Sequence, residues 1–423
     1  MLTRAELRKG WCPGARAPMQ ARDGLIARLR ISGACLSSET ARAIAGAANR
    51  FGNGQCELTS RANLQLRGVT PERLPDLLAE LDRLGLIDAD AAAEAVRNVM
   101  ISPLAGLCGR ADVTPIGAAL EAALIDATDL HSLPGKFGFL IDDGGPLSLW
   151  DEITDVRFAF DQPRGKFDIA LGVDAIAIGS CAPEEIVAVA LRIARAFLAV
   201  GEAMPEPPRR MTDVIFGGGL AALAAAAGRP APQQEWAPPR PAPPAPVGLL
   251  RFGDLSCFGA AAPFGRLSAN MLAAVAGAAQ THGRGEIRLT PWRAVILPGV
   301  APQEADALAE YFHAAGFIVS PDDKRLGVAA CGGAPACARG TTPTHADALA
   351  LAPLAGQLFP TGLALHVSGC AKGCARPRRA PLTLVAHDGL YDLVLDGSAF
   401  DAPSSRNLSL TAARNLLHAM AST

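Results

Sequence analysis

Four cysteines in two pairs carry the plainest chemistry: Cys331-x5-Cys337, and further along Cys370-x3-Cys374. Four thiolates are the ligand set of a [4Fe–4S] cubane, and they also satisfy tetrahedral zinc. Zinc knuckles use short spacings in both pairs, so the five residues inside the first pair favour the cluster. Glycines sit beside the second pair, in Ser368-Gly369-Cys370-Ala371-Lys372-Gly373-Cys374. They let the backbone approach an inorganic centre and turn N–H groups toward its sulfides. The remaining cysteines (Cys12, Cys35, Cys56, Cys108, Cys181 and Cys257) are scattered and read mostly as small core residues.

A second constellation is cationic. With 39 Lys and Arg against 41 Asp and Glu, the chain has no bulk charge with which to hold nucleic acid. An anionic partner must be held by local clusters, for which Arg28, Arg30, Arg61, Arg67, Arg97, Lys136, Lys372 and Arg376 are candidates. Charges at Arg4, Glu6, Arg8 and Lys9 argue against a secretory signal, and no window of about 18 apolar residues offers a membrane span. Clustered cysteines in a chain expected to be cytoplasmic point to metal or redox work.

The elements that must position these residues occur twice. Ala45 to Val69 aligns without gaps to Ala276 to Val300, with eleven identities. Each copy reads strand, helix, strand, helix. In the first, Leu25 to Ile31 alternates as a half-buried strand, a helix from about Ser38 closes at Gly52, and a long second strand covers Gln55 to Arg67. That strand puts Arg61, Asn63, Gln65 and Arg67 on one face, suited to carboxylates. Thr70 and Pro71 open the next helix, which Gly85 ends. A proline-rich strap over 229–247 separates the copies. Continuing the alignment with small gaps sets Ser102, Cys108, Gly144 and Ser148 against the four cysteines, so one cluster is expected, in the second copy.

At this point the residues resemble a known family. The cysteine spacing, the tandem repeat, Thr59-Ser60-Arg61-x-Asn63-Leu64-Gln65 and Arg97-Asn98-Val99 resemble the sirohaem-dependent nitrite and sulfite reductase superfamily over nearly the whole chain. The resemblance implies an α+β fold, a tandem repeat of a ferredoxin-like half-domain plus a larger α/β domain. The expected boundaries are 1–90 and 91–228 for the first copy, without a cluster, and 248–322 and 323–423 for the second. Gly10-Trp11-Cys12-Pro13-Gly14, Asp23-Gly24-Leu25, Thr290-Pro291-Trp292-Arg293 and Ala175-Ile176-Ala177-Ile178-Gly179 look like the precorrin-3B synthase branch. That branch implies oxygen-dependent C20 hydroxylation of precorrin-3A with lactone formation. It also implies a mononuclear non-haem iron beside the cluster, dioxygen as co-substrate and NADH as the indirect electron source. The resemblance singles out Arg61, Arg97 and Lys136 as site residues. Where the reductases carry two lysines one residue apart, this chain has Lys136-Phe137-Gly138, and the lost cation weakens the reading of a small-anion reductase.

Several points stay open in the sequence. His345-Ala346-Asp347 spells part of a facial triad, but Thr344 before it equally makes a helix start with an acidic first turn. The ligands of the second iron are not readable. Gly217-Gly218-Gly219 follows a strand-like Val214-Ile215-Phe216 without the dinucleotide spacing, so a separate reductase is expected to deliver electrons. A sirohaem reductase and a non-catalytic electron carrier remain the alternatives.

Overall fold

The computed structural model describes residues 12–108, 110–229 and 245–422. Most of the proline-rich strap and the Gly10-Trp11 start of the opening motif therefore lie outside the described residues. The strands form four five-stranded sheets. The first runs β1 (Met19–Ala21), β2 (Gly24–Leu29), β5 (Leu64–Val69), β4 (Gln55–Leu58) and then β13 (Arg266–Ser268), which belongs to the other copy. Its counterpart runs β11 (Gly248–Phe252), β12 (Leu255–Ala261), β15 (Ala294–Pro298), β14 (Glu286–Leu289) and then β3 (Cys35–Ser37), from the first copy.

Each copy thus completes the other's sheet with one short antiparallel strand. Leu36 lies opposite Ile287, and Leu267 opposite Cys56. All four side chains are buried, in a core that draws on both copies. Burying a leucine or isoleucine of this kind stabilises by about 1.5–3 kcal/mol. The exchanged strands lead directly into the helices Ser38–Phe51 and Ala269–His282. Their N-caps, Ser37 and Ser268, accept from the backbone N–H of Thr40 and Met271.

The expected long strand from Gln55 to Arg67 is instead a hairpin. Thr59 N donates to Asn63 O at 2.9 Å, and Cys56, Glu57 and Leu58 pair back onto Leu66, Gln65 and Leu64. Residues opposite each other across the hairpin share a face, so the period-2 pattern runs unbroken through the turn. The turn itself needs Ala62 at φ 53° and lifts Arg61 to a tip. Thr70 and Pro71 form a turn rather than a helix start, and the helix runs Leu74–Arg83.

The other two sheets are larger lobes. One runs β6 (Val99–Ile101), β7 (Phe139–Asp142), β8 (Val156–Asp161), β9 (Lys166–Leu171) and β10 (Ile176–Cys181). The other runs β16 (Val328–Ala330), β17 (Leu365–Ser368), β18 (Ala380–His387), β19 (Leu390–Gly397) and β20 (Ser405–Leu408). In each, the first three strands are parallel and the last two antiparallel. Helices Thr114–Asp126 and Thr344–Leu358 make the crossovers that parallel neighbours require. Among the described residues, no helix is long and apolar enough to cross a membrane.

Because each half lacks a strand that the other supplies, residues 1–244 or 245–423 alone leave a sheet edge unpaired over an apolar core. Each half expressed separately is expected to aggregate, and co-expression to give a soluble one-to-one complex on size-exclusion chromatography. A half that unfolds cooperatively on its own would show the exchanged strand to be dispensable.

Candidate functional site

Adjacent parallel strands bring their carboxyl ends side by side, which is where such sheets place ligands. Cys331 follows β16 directly, and Gly369-Cys370 follows β17. Gly369 N donates to Cys331 Sγ at 3.1 Å. A Cβ on Gly369 would lie 3.4 Å from that sulfur and 3.2 Å from Gly333 Cα, so only glycine permits this approach without displacement. Cys337 N donates to Gly333 O at 2.7 Å, and Gly340 N to Cys337 O at 3.1 Å, so tight turns flank Cys337 on both sides. Burial pushes the Cys370 thiol up, and the neighbouring Cys331 and Cys337 push it further, while the Lys372 N–H opposes both. Each of the raising effects favours the neutral thiol over the thiolate. Cys374 is the one exposed cysteine among the ten. No three His, Cys, Asp or Glu side chains among the described residues close on one point as ligands of a single bare ion do.

The first lobe repeats this scaffold with different atoms. Ser102 follows β6 as Cys331 follows β16, and Asp143 N donates to Ser102 Oγ at 2.8 Å. Gly144 and Ser148 stand where Cys370 and Cys374 stand. Asp142 accepts from Gly144 N, Ser148 Oγ and Leu149 N, and Asp143 from Gly145 N and the Cys108 thiol. Both carboxylates are buried. Burial pushes Asp143 up, against the hydrogen bonds that hold its charge.

A cleft rich in arginine lies at the tip of the first hairpin, lined by Arg30, Arg61, Arg97, Asn98 and Met100 with the Glu121 carboxylate among them. Arg61 donates to Lys136 O at 2.6 Å and to Asn98 Oδ1 at 3.3 Å. Arg30, only 5 % exposed, also donates to Asn98 Oδ1, and its Nε has no partner. Burial, with Arg28 alongside, lowers Arg30 to about 10. These are cations held by neutral acceptors, an arrangement that favours an incoming anion.

Arg97 and Arg67 differ. Arg97 is clamped by Asp88 at 2.9 Å and by Glu121 at 3.5 Å, and it donates to Ser32 Oγ and Arg30 O. Arg67 pairs with Asp23 at 2.8 Å and Glu57 at 3.2 Å. The expected carboxylate-binding face is therefore partly an internal ion network, and Arg97 positions Arg30 by its carbonyl. Cys12, one of the scattered cysteines read mostly as core, instead lies in the field of Arg28, Arg61 and Lys136. Burial opposes its ionisation, but Arg28, Arg61 and Lys136 outweigh that and hold the thiol below its ordinary value.

Other sequence features resolve differently. Thr344 is the first helical residue and spends its hydroxyl on Cys331 O, while Asp347 accepts from Tyr391 Oη at 2.5 Å. His345 instead lies against the Phe264 ring. The pair diverges and forms no triad edge. Val214 to Phe216 is helical, not a strand, so the glycine run lacks the setting of a dinucleotide site.

Two comparisons place the chain. A profile of the nitrite/sulfite reductase ferredoxin-like half domain matches residues 18–84 and 253–315. A precorrin-3B synthase from Sinorhizobium sp is 32% identical over 411 residues, covering 95% of this chain and 86% of that protein. The chain belongs to the precorrin-3B synthase family. It does so within the nitrite and sulfite reductase superfamily. A ferredoxin–nitrite reductase from Synechococcus elongatus is 28% identical, covering 85% of this chain and 76% of the relative. The structure of Mycobacterium tuberculosis NirA shares the fold, with a TM-score of 0.75 at 22% identity over 92% of this chain and 79% of NirA.

For this member of the precorrin-3B synthase family, two outcomes follow from the charges around the cleft. Arg97→Ala strands buried Glu121 and half-buried Asp88 and is expected to cost about 3–5 kcal/mol in denaturant unfolding. Arg61→Ala, which strands no carboxylate, should cost much less. Alkylation of Cys12 by iodoacetamide, followed by peptide mass spectrometry, should begin at lower pH than for Cys35, whose thiol burial raises to about 11. Arg28→Ala should move the Cys12 onset to higher pH, because it removes a charge that stabilises the thiolate.

Proposed function

We propose that the chain is an oxygen-dependent monooxygenase converting precorrin-3A to precorrin-3B, by C20 hydroxylation and lactone formation, in aerobic cobalamin biosynthesis. The observation that carries this reading is the set of cations at the first hairpin tip, Arg30 and Arg61, whose hydrogen bonds go to neutral acceptors. A macrocycle edged with carboxylates supplies the charges they lack.

The second hairpin tip supports a flat ligand. Trp292 occupies the repeat position of Arg61 and packs with Met100, Leu140 and Leu149, on the lobe that Arg61 also touches. One tip thus offers charge and the other an apolar ring. The site of the missing second lysine adds to this. A Cβ on Gly138 would lie 3.4 Å from Asn98 O and 3.8 Å from Asn98 Cβ, so a lysine there would stand beside the cleft. Glycine leaves that volume to the ligand, which favours a tetrapyrrole substrate over a small anion held under concentrated charge.

Cys331, Cys337, Cys370 and Cys374 would hold the [4Fe–4S] cluster, on the strand-end geometry and glycine packing described above. When bound, it supplies electrons one at a time. The chain's own residues bind and orient: Arg30 and Arg61 hold carboxylates, Lys136 adds to the positive field, and Arg97 fixes Arg30. The first lobe, with Asp142 and Asp143 at the corresponding strand end, would hold no cluster. Among the described residues, no three His, Cys, Asp or Glu side chains converge as a ready ligand set for a mononuclear iron. NADH would act through a separate reductase.

Anaerobic loading with precorrin-3A, then dioxygen and reductant, is expected to give a product heavier by one oxygen atom in mass spectrometry. Bound sirohaem in the absorption spectrum, with turnover of nitrite or sulfite, would mark a reductase instead. Serine at any of the four cysteines should abolish or convert the paramagnetic signal of the reduced cluster. An Arg–carboxylate hydrogen bond is worth about 1.5–3 kcal/mol, so Arg61→Ala should weaken tetrapyrrole binding about ten- to a hundredfold at unchanged iron content.

A further inference from the structure

A buried hydroxyl–carboxylate pair stands behind the loop that carries the first two cysteines. Tyr391 Oη lies 2.5 Å from Asp347 Oδ2 and 2.7 Å from Thr342 Oγ1, with the tyrosine 1 % and the aspartate 6 % exposed. A phenol has one proton, so one of these contacts is donated by the threonine hydroxyl, and the three groups form a chain. Burial pushes the Tyr391 hydroxyl up, and its bond to Asp347 adds to that, so the phenol keeps its proton.

The chain is tied to the cysteine loop on three sides. Thr342 O accepts from Ala334 N at 2.8 Å, between Cys331 and Cys337, and Thr341 N donates to Gly369 O at 3.3 Å, beside Cys370. Thr344 Oγ1 donates to Cys331 O. Thr344 and Asp347 stand three residues apart in the helix Thr344–Leu358 and therefore share the face that meets Cys331. Asp347 lies in the first turn of that helix, where the backbone dipole favours an anion. Among the described residues no Lys, Arg or His pairs with it, whereas buried Asp155 pairs with Arg210 and buried Glu121 with Arg97.

The first lobe serves as an internal control. Phe139 pairs with Val156 there as Leu365 pairs with Leu382 in the second lobe, which sets Phe160 at the place of Ala386. Phe160 lies opposite Phe167, and Ala386 opposite Tyr391, so a phenylalanine replaces the tyrosine. The crossover helix Thr114–Asp126 has no acidic residue in its first turn. Hydroxyl and carboxylate are both confined to the lobe that holds the four cysteines.

We propose that Asp347, held by Tyr391 and Thr342, is a buried negative charge that keeps the cluster at low potential, making its electron easier to give up. The proposal rests on the assignment of the cluster to the four cysteines. An electron added beside a fixed negative charge is bound less tightly. At an effective dielectric of about 20, a unit charge about 10 Å away changes such an equilibrium about tenfold. Exposed acids elsewhere on the lobe are screened by water and salt.

The test is a potentiometric titration of the reduced-cluster paramagnetic signal on the holoprotein, with dithionite as reductant. Asp347→Asn keeps an acceptor for Tyr391 and removes the charge. It should raise the equilibrium constant for reduction about tenfold, an upward shift of about 59 mV for one electron. The double variant Asp347→Leu, Tyr391→Phe removes donor and acceptor together, strands no buried charge, and should shift the midpoint the same way. Asp388→Asn takes one charge from the same lobe at a side chain 96 % exposed, and should leave the midpoint in place. An unmoved midpoint in either neutral variant, or an equal shift in Asp388→Asn, overturns the proposal. Loss of the cluster from both neutral variants does so too, because Asp347 would then be a structural residue only. Absence of any cluster signal in the native protein overturns the cluster assignment itself, a different failure.

Discussion

The reciprocal strand exchange is the constraint on which the rest of the molecule depends. β13 closes the first half's sheet and β3 the second's, each through three residue pairs whose apolar members are buried. A ladder of that length is marginal alone; here it is supported by helices that begin at its last residues and share one core. The exchange sets the two hairpins in a fixed mutual orientation. Arg61 and Trp292 can then address the same lobe, and Arg67 of the first copy can reach Ala336 beside Cys337 in the second. A slip of one residue in either exchanged strand would turn Leu36 or Leu267 out of the core and move both tips.

The lobes show how one backbone supports two chemistries. A backbone N–H at the end of the second parallel strand meets oxygen in one lobe, Asp143 to Ser102, and sulfur in the other, Gly369 to Cys331. The difference lies in what fills the space beyond. In the first lobe, two carboxylates turn inward and collect the loop's N–H and O–H groups, as buried charge requires. In the second, glycines at 333, 340 and 369 pack backbone on backbone, and Cys331 Sγ takes the N–H of Gly369.

Legibility followed the range of the interactions. Cysteine spacing, glycines beside the ligands and the internal repeat are local or periodic, and the structure places Cys331 and Cys370 on neighbouring strand ends as the apolar run before Cys370 suggests. The hairpin at 55–69 was hidden because alternation continues through its turn. That turn carries no glycine or proline, only Ala62 in a left-handed conformation. Arg97 looked like a ligand-binding cation because nothing near it in sequence announces Glu121 as its partner. The cationic setting of Cys12 was hidden for the same reason. Its surroundings come from several distant elements, and the ionisation of a thiol depends on all of them at once.

Opposite residues at equivalent tips have a consequence for symmetry. Two separate, identical chains assembled through the same exchanged strands would carry the same side chain at both tips, arginine twice or tryptophan twice, and cysteines in both lobes or neither. Joining the copies in one chain frees each position to change alone. It also removes the dependence of assembly on concentration, since a tethered partner is always present at high effective molarity. The single polypeptide can therefore be asymmetric where a homodimer could not, with an arginine at one hairpin tip, an indole at the other, and the cysteine set in one lobe only.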